Sequence, residues 1–408
     1  MAIQLKSLHI RNFRSLADIT IKTDALNVLF GPNGAGKSTF LDTSWLVRDC
    51  ITTGVDQAST DRSHGIGMRW ILAEDGANIA ITLETELAEY EVVFGYSSGR
   101  IEPFVGEMLH DKTLNIRLID RKIGSDKAFF YHTNLTQYLE VPLRDPEKLA
   151  LGRYLDFLEN PPRSASEMNQ ILQSLHFYPS RKFDFFRLKN IGSESNYHTW
   201  LSERCQNLWS VLRNLAGKGS LDGRYDTILS FMQKTFPDFD ELIFDQTGPS
   251  SVYASFREKG LREPIQASGV SDGHLQMLIL LTALFSEGKN RHSMILFDEP
   301  ETSLHPHALA VFAEAVELAV KEWDKQIFIA THSPVLISQF DPANILAFER
   351  DETRQTVVRR VSEIENIQDL LEQYATGSLY MAELIAAQSK PVWKEKGFWE
   401  EKDHAPEQ

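Results

Sequence analysis

The spacing of hydrophobic and polar residues changes several times along this chain. Positions 3 to 30 first alternate apolar and polar residues and then become continuously apolar, the pattern of edge strands that lead to a buried strand. Residues 68 to 94 also have a strand-like pattern, with turn residues at "EDG". The first part of the chain is therefore predicted to be rich in strands.

From about Arg144 to Pro237 the apolar residues recur at helical spacing. The stretch "SASEMNQILQSL" begins with a capping box formed by Ser164 and Glu167, and "NYHTWLSERCQNLWSVLRNL" continues the helical pattern. The segment has no sustained heptads, so we do not expect a long coiled-coil arm.

After Glu241 strands and helices alternate. "ELIFDQ" and "SVYASFRE" are predicted strands, followed by a helix over 272–286, a buried strand starting at Met294, a helix over 306–323 and the strand "QIFIATHS". A strand, helix, strand order implies a parallel sheet flanked by helices.

These patterns together predict an α/β fold with a β-rich N-terminal lobe, a mostly parallel core sheet and a helical insert. We expect four segments: an N-terminal lobe over 1–143, the helical insert over 144–237, a C-terminal lobe over 238–360, and a helical tail over 361–408 that ends in frayed polar residues.

Composition narrows the class of protein. The 408 residues are 42% hydrophobic and 24% charged, as in folded soluble proteins. The longest mostly apolar run, 277–285, is far shorter than the ~20 residues that cross a bilayer, and the N-terminus has no signal-peptide pattern, so we predict a cytoplasmic protein without a membrane partner. Cys50 and Cys205 have no metal-binding spacing and are predicted to be buried thiols.

The net charge of −15 argues against a surface that binds nucleic acid broadly through its phosphates, although it does not exclude a local basic groove.

A glycine-rich segment, "GPNGAGKST", fits the phosphate-loop pattern G-x-x-x-x-G-K-[ST] between a predicted buried strand and a helix. Its glycines let successive N–H groups point at phosphate oxygens at the positive end of the helix. Lys37 is predicted to reach the β- and γ-phosphates and Ser38 to ligate Mg²⁺. ATP and Mg²⁺ are therefore the expected cofactors, and the expected nucleotide-binding residues are Gly31, Pro32, Asn33, Gly34, Ala35, Gly36, Lys37, Ser38 and Thr39.

Two adjacent carboxylates end the apolar run of "ILFDEPETSLHPH", and buried acids require partners. Beside a phosphate loop, Asp298 is predicted to hold Mg²⁺ and Glu299 to activate a water molecule. One strand later, "IATHSP" places His332 where it could touch the γ-phosphate. Strand-end histidines are ordinarily structural, but the order of these three motifs favours a role in the site.

The segment "SGVSDGHLQ" precedes an apolar helix and allows two interpretations. Ser271 or Asp272 could simply cap the helix, or the exposed helix start and the serine hydroxyl could bind an anion. In combination with the other motifs we favour the anion site.

The four motifs, in this order, resemble the ATPase heads of the ABC superfamily, in particular the RecF, SMC and OLD-like branch and its stand-alone bacterial AAA family ATPases. "IRNFRSL" resembles the first strand of that branch, in which an arginine at the position of Arg14 approaches the phosphates. The departures in "VSDGH" and in the His-Pro of "ETSLHP" favour this branch over the transporters. The glutamine loop is ambiguous, with Gln57 and Arg181 as candidates.

The resemblance implies that two heads pack head-to-tail around two ATP molecules. Ser271 and Gly273 would then contact the nucleotide of the opposite chain, and Ser303 and His305 would lie in a loop that touches the partner. It also implies an ATPase in which Lys37, Glu299 and His332 are catalytic.

We therefore expect an ATP-gated dimeric switch for a separate protein effector, in DNA repair or antiphage defence. One alternative is a RecF-like ATPase that binds DNA through a basic cluster, although a solvated face is the favoured interpretation of that cluster; another is a scaffold that uses ATP structurally. No nuclease domain is expected after His332, where "ERDETRQ" is interpreted as a solvated turn. The basic cluster consists of Arg181, Lys182, Arg187 and Lys189.

Overall fold

The computed structural model describes residues 3–217, 223–248, 250–289, 291–364, 367, 370, 374–382 and 385. Most of the predicted tail over 361–408 lies outside the described residues. In chain order the described strands are β1 Ser7–Phe13, β2 Leu16–Lys22, β3 Leu26–Phe30, β4 Ile79–Glu84, β5 Ala88–Phe94, β6 Tyr96–Ser97, β7 Arg100–Ile101, β8 Gly106–Asp111, β9 Ile116–Arg121, β10 Lys127–His132, β11 Gln137–Pro142, β12 Leu175–Pro179, β13 Ser193–Glu194, β14 Phe239–Gly248, β15 Ser251–Glu258, β16 Ile265–Gln266, β17 Ser293–Asp298, β18 Lys325–Thr331, β19 Ile345–Arg350 and β20 Thr356–Arg360.

The α-helices of the described residues lie before and after the strand-rich stretch from β4 to β11. They are α1 Lys37–Thr52, α2 Val55–Thr60, α3 Ala150–Phe157, α4 Arg163–Gln173, α5 Phe185–Asn190, α6 Leu208–Gly217, α7 Arg224–Thr235, α8 Asp272–Phe285, α9 Pro306–Glu322, α10 Pro334–Ile337 and α11 Thr376–Met381.

The N-terminal lobe is an antiparallel sheet with the strand order β11-β10-β9-β8-β5-β4-β1-β2. Only β2 of the first two strands lies at the edge, because β1 pairs with both β2 and β4. The predicted edge position of β1 is therefore wrong. Residues 68–78 form turns and irregular chain rather than strands, so the strand pattern is confirmed only from Ile79 onward.

The second sheet has the order β12-β17-β18-β3-β19-β20, in which all neighbours are parallel except β19 and β20. This confirms the predicted mostly parallel core. Residues of β3 alternate between two hydrophobic clusters: Leu29 packs with the N-terminal lobe, whereas Val28 and Phe30 pack on the side of α8 and α9. Both faces of the sheet are thus covered, as parallel sheets require.

The predicted helical segment over 144–237 differs from the structure in two respects. Its residues 175–179 form β12, which pairs in parallel with β17 in the core sheet. Residues 196–207 are irregular, and the helix predicted there starts only at Leu208. The division of the chain into four segments stays a prediction, but this segment supplies part of the core.

The predicted capping box of α4 is wrong. Pro162 occupies the N-cap, and Ser164 lies inside the first turn, where its hydroxyl donates a hydrogen bond to Asp111. Glu167 accepts a hydrogen bond from Arg163 at 2.6 Å instead of returning to the cap. The proline, with its fixed φ, can begin the helix without a serine cap.

Both cysteines are buried free thiols, as predicted. Burial raises the pKa of the Cys50 and Cys205 thiols, so neither is disposed to form a thiolate.

A buried ion network lies at the end of the core sheet opposite the carboxyl ends of its parallel strands. Lys325, at the start of β18, is 1% exposed; its ammonium donates to Ser293 Oγ at 2.7 Å and lies 3.7 Å from a carboxylate oxygen of Glu287. Burial alone would raise the pKa of Glu287, but His176, Lys325 and a hydrogen bond from Ser293 outweigh it and lower that pKa to about 2.

Replacing Glu287 with glutamine is expected to lower the free energy of unfolding at pH 7 by about 3 kcal/mol, because Lys325 then stays buried without its counter-charge. The native carboxylate keeps its charge down to about pH 2, whereas the ordinary pKa is 4.5. Its contribution is therefore complete above pH 4.5 and is lost as the pH falls toward 2. Urea denaturation at pH 7, 4.5 and 3.5 should show a smaller acid loss in Glu287→Gln than in the unaltered chain.

The matched control is Glu322→Gln, because Glu322 is 54% exposed and pairs with Lys289 at 3.2 Å. An exposed pair contributes little, so this variant should unfold like the unaltered chain at every pH. Equal stability of the Glu287 and Glu322 variants at pH 7 would contradict the assignment.

Candidate nucleotide-binding site

The phosphate loop joins β3 to α1 at the carboxyl edge of the parallel sheet. Gly31 and Gly36 have φ values of 146° and 111°, a region that favours glycine. A β-carbon at Gly31 would lie 2.1 Å from the carbonyl oxygen of Phe348, and one at Gly36 would lie 2.4 Å from Thr356 Oγ1. Strands β19 and β20 thus pack closely against the back of the loop. Only glycine fits at these two positions.

The loop is also held from behind by a hydrogen bond. The Thr356 hydroxyl donates to the Ala35 carbonyl at 2.8 Å and lies 2.9 Å from the Ser15 hydroxyl. Asn33 and Gly34, by contrast, are exposed. The loop therefore presents its tip outward on a fixed base.

Lys37, the first residue of α1, folds back across the phosphate loop. Its ammonium donates to the carbonyls of Gly31 at 2.7 Å and Pro32 at 3.0 Å, and lies 3.5 Å from His332 Nδ1. Burial lowers the pKa of Lys37 to about 8, against the opposing charges of Asp298, Glu299 and Glu301. Backbone carbonyls hold this cation in the concave side of the loop, where a phosphate would be a stronger partner.

Ser38 and Asp298, the two predicted metal ligands, are in contact. The Ser38 hydroxyl donates to Asp298 Oδ1 at 2.8 Å, and Asp298 is only 3% exposed. Burial raises the pKa of Asp298, and the Ser38 hydrogen bond and the charge of Arg181 partly offset that rise. A hydroxyl and a carboxylate beside a phosphate loop form an oxygen donor set that suits Mg²⁺, so these residues fit the expected ion.

Glu299 follows Asp298 at the end of β17 with a left-handed backbone, at φ 54°. Its N–H donates to the Ala330 carbonyl of β18 at 2.8 Å, and its side chain is 45% exposed. Such a conformation is strained for a residue with a β-carbon. The turn directs the carboxylate away from the buried strand, and one of its oxygens lies 3.8 Å from His332 Nε2.

His332 directly follows β18, and its main-chain N–H donates to Glu301 Oε1 at 2.8 Å. Burial, together with the charge of Lys37, lowers the pKa of His332. The imidazole is therefore neutral at pH 7, so one ring nitrogen can accept from Lys37 while the other can donate to an oxygen.

The role of Glu301 was missed in the sequence, where this residue received no assignment. It is half-buried, burial raises its pKa, and its Oε2 has no hydrogen-bond partner in the described structure. Since its other oxygen holds the backbone of His332, Glu301 is a positioning residue. The third acidic residue of "DEPET" is visible in the sequence. Spacing alone could not show that its carboxylate accepts a hydrogen bond from the His332 N–H.

Ser271 occupies the N-cap of α8 and is exposed, but its side chain does not cap the helix. Its hydroxyl lies 2.8 Å from His274 Nδ1, and the His274 ring stacks on Phe236 with centroids 3.7 Å apart. The capping interpretation of Ser271 is therefore wrong. His274 orients the serine hydroxyl at the open end of the helix.

The loop "ETSLHP" lies against this helix start. A β-carbon at Gly273 would approach the Ser303 carbonyl to 2.8 Å, and Ser303 is exposed with a φ of 64°. His305 caps α9, accepting from the His307 N–H. Among the described residues, no hydrogen bond or ion pair joins Ser271 or Ser303 to the phosphate loop of the same chain.

One buried side chain connects the helix that begins at Ser271 with the strand ends near Asp298. Gln276, on α8, is 0% exposed and donates both to Ser180 Oγ at 2.9 Å and to the Pro300 carbonyl at 3.0 Å. The helix that begins at Ser271 is thus tied to the ends of β12 and β17.

Arg14 lies near the start of α1, with a left-handed φ of 51°, and pairs with Asp42 at 3.0 Å. It lines a cavity of about 620 Å³ that also includes Ser38 and Thr39. The structure therefore places Arg14 beside the phosphate loop, with its charge engaged by α1.

The two glutamine-loop candidates are separated by the structure. Gln57 lies on α2, where it donates to Asp61 at 2.8 Å. Arg181 follows β12, and its guanidinium lies 4.0 Å from Asp298. Only Arg181 of these two contacts the predicted metal-binding pair.

The basic cluster of "SRKFDFFRLK" is paired with acids. Lys182, Arg187 and Lys189 pair with carboxylates at 3.0 Å or less, whereas Arg181 lies 4.0 Å from Asp298. The surface interpretation is therefore favoured over a patch that binds the phosphates of DNA. The pairs are Arg181–Asp298, Lys182–Glu203, Arg187–Glu194 and Lys189–Asp272.

A phosphate loop, a strand-end acidic pair and a strand-end histidine meet on the carboxyl ends of adjacent parallel strands, with β18 lying between β3 and β17. This arrangement defines an ABC-type ATPase head of the OLD and SMC-like branch. The sequence profile of the family described as "AAA domain, putative AbiEii toxin, Type IV TA system" matches residues 26–338. The chain belongs to that family.

Curated relatives include two OLD nucleases. The one from Thermus scotoductus is 25% identical over 363 residues, which cover 85% of this chain, and the one from Escherichia phage P2 is 22% identical over 390 residues, which cover 89%. In both comparisons the match spans 63% of the relative's own length.

An Smc head bound to the C-winged helix domain of ScpA has a similar fold. It superposes with a TM-score of 0.50 at 12% identity, covering 87% of this chain and 96% of that one. This likeness confirms the predicted fold class. In the described residues, no helix is both long and apolar enough to cross a membrane.

Proposed function

We propose that this chain binds ATP with Mg²⁺, hydrolyses it to ADP and phosphate, and closes head-to-tail with a second copy around two nucleotides. The observation that carries the proposal is the split site. Lys37, Asp298 and Glu299 converge on the phosphate loop, whereas Ser271 and Ser303 are exposed elsewhere on the same chain. A second copy can bring the missing serine to the loop.

Each converging residue has a defined task in the proposed reaction. Ser38 and Asp298 would hold Mg²⁺, which would neutralise phosphate charge. Lys37 would exchange its backbone carbonyl partners for phosphate oxygens. Glu299, exposed at its strained turn, would accept a proton from the attacking water, and neutral His332 would donate a hydrogen bond to the phosphate.

The link through Gln276 supports a switch rather than a static scaffold. The end of α8 that bears Ser271 is tied to the ends of β12 and β17, so a change at Asp298 has a packed route to the proposed dimer surface. We propose that a change at Asp298 follows this route and is transmitted to a separate effector in DNA repair or antiphage defence. The likeness to the two OLD nucleases supports that setting. The nuclease activity in their names belongs to those relatives and is not part of the function proposed here.

Mixing two inactive variants tests the composite site. Lys37→Ala retains Ser271, and Ser271→Arg retains Lys37, so each alone should lack turnover. A mixture should regain phosphate release, because one site of each mixed dimer is intact. Replacing Ser271→Arg in the mixture with the double variant Lys37→Ala/Ser271→Arg should abolish this rescue, because neither chain then has Lys37.

Either of two results would contradict the proposal: full turnover by Ser271→Arg alone, or a mixture that stays inactive. A chain that binds ATP but releases no phosphate would favour the structural scaffold instead. The RecF-like alternative has no supporting observation, because the basic cluster is neutralised by acids.

A further inference from the structure

The position of Arg181 is fixed by the core sheet. Strand β12 pairs in parallel with β17 so that Pro179 stands opposite Asp298. The next residue, Ser180, is 5% exposed and accepts a hydrogen bond from buried Gln276. Arg181 therefore leaves a rigid backbone at the same sheet edge as the predicted metal ligands.

The side chain of Arg181 is loosely held, in contrast to its backbone. Its guanidinium lies 4.0 Å from Asp298 Oδ2, beyond hydrogen-bond distance, and the side chain is 69% exposed. The carboxylate it faces is 4% exposed. A buried carboxylate requires a nearby positive charge, and Arg181 supplies one without a hydrogen bond in the described structure.

Three other cations that line the same cavity are more firmly engaged. Arg14 and Arg62 both pair with Asp42, at 3.0 and 2.8 Å, and Lys182 pairs closely with Glu203. The cavity, of about 620 Å³, extends from Ser38 and Thr39 to Arg181. Arg181 is thus an exposed cation, weakly engaged by Asp298, in the cavity that Ser38 and Thr39 also line.

We propose that Arg181 is the residue by which this chain distinguishes ATP from ADP. Its guanidinium neutralises Asp298 until Mg²⁺ takes that carboxylate, and it then binds the γ-phosphate. The inference rests on the function proposed above and adds to it a binding residue supplied by the same chain.

The physical reason is competition for one carboxylate. Asp298 and Ser38 would hold Mg²⁺, whose positive charge would repel the guanidinium and replace it as the counter-charge of Asp298. Because Arg181 and the phosphate-loop residues Ser38 and Thr39 line one cavity, a displaced Arg181 would lie beside the outermost phosphate of a bound ATP. Its planar fork of donors matches phosphate oxygens. ADP offers no such group, and Arg181 then gains no new partner.

Calorimetric titration of the full chain with a non-hydrolysable ATP analogue and with ADP, both in excess Mg²⁺, tests the proposal. Arg181→Ala should weaken binding of the analogue by about tenfold or more, since a charge-assisted contact is lost, and should leave ADP affinity within about twofold. Arg181→Lys should retain part of the preference, because lysine keeps the charge but lacks the fork.

Lys182→Ala is the matched control, because Lys182 is the next residue, is 47% exposed and already pairs with Glu203. It should bind both nucleotides as the unaltered chain does. Arg181→Gln gives a second test with a long polar side chain, should the alanine variant fold poorly.

An equal loss of both affinities, or unchanged affinities in Arg181→Ala and Arg181→Gln, would overturn this inference while the function proposed above stands. If the unaltered chain binds neither nucleotide, both proposals fail. A selective loss of the analogue alone supports the assignment.

Discussion

Replacing Lys37 with alanine is expected to weaken ATP binding by about a hundredfold or more, because a charged donor with two contacts to phosphate is lost. In the structure that ammonium is desolvated, and burial lowers its pKa to about 8. It donates to the carbonyls of Gly31 and Pro32 and lies 3.5 Å from His332 Nδ1. We therefore expect the variant to fold, because removing a buried cation also removes its desolvation cost.

Thermal denaturation with and without Mg²⁺ and ATP measures this effect. A ligand that binds only the native state raises its stability in proportion to the logarithm of ligand concentration over Kd. The unaltered chain should melt higher with nucleotide, and Lys37→Ala should melt at one temperature in both conditions. Lys321→Ala, whose side chain is 72% exposed on α9, should respond like the unaltered chain. An unchanged response of Lys37→Ala would contradict the loop assignment.

The chemistry of the phosphate loop was predictable because it is local. Gly31 and Gly36 need backbone conformations that few other residues adopt, and Lys37 and Ser38 sit at fixed offsets from them. The strand before and the helix after are also short-range patterns. The same holds for Asp298 and His332, each at the end of a continuous apolar run that the core sheet buries.

Contacts between distant residues that belong to no recognisable motif could not be predicted. Gln276 meets Ser180, 96 positions earlier, and Thr356 meets Ala35, 321 positions earlier. Helical spacing around residues 144–237 also concealed β12, because a short strand buried between helices has no distinctive periodicity. Its pairing with β17 brings Arg181 to Asp298, a contact that no spacing in the sequence encodes.

The capping interpretations drawn from the sequence were wrong for a related reason. Ser164 and Glu167 match the capping pattern, yet both side chains find other partners, Asp111 and Arg163. At Ser271 the hydroxyl is taken by His274. Polar side chains near a helix start have several acceptors within reach, and tertiary contacts decide among them.

Replacing Glu299 with glutamine is expected to convert the chain, in the presence of Mg²⁺ and ATP, into a stable dimer. Glutamine keeps the size of the side chain and its place at the strained turn, so the fold and the nucleotide contacts should persist. It cannot accept the proton of the attacking water, so ATP stays intact. If hydrolysis opens the two heads, the closed state then accumulates.

Size-exclusion chromatography with light scattering measures the change as a mass of two chains instead of one. The dimer should form with ATP and not with ADP, since only ATP reaches across to the partner's Ser271. The double variant Lys37→Ala/Glu299→Gln should stay monomeric, because it binds no nucleotide that could join two chains. Identical masses for Glu299→Gln and the unaltered chain in ATP would contradict the switch, because the exposed Glu299 carboxylate would then not control the lifetime of the closed state.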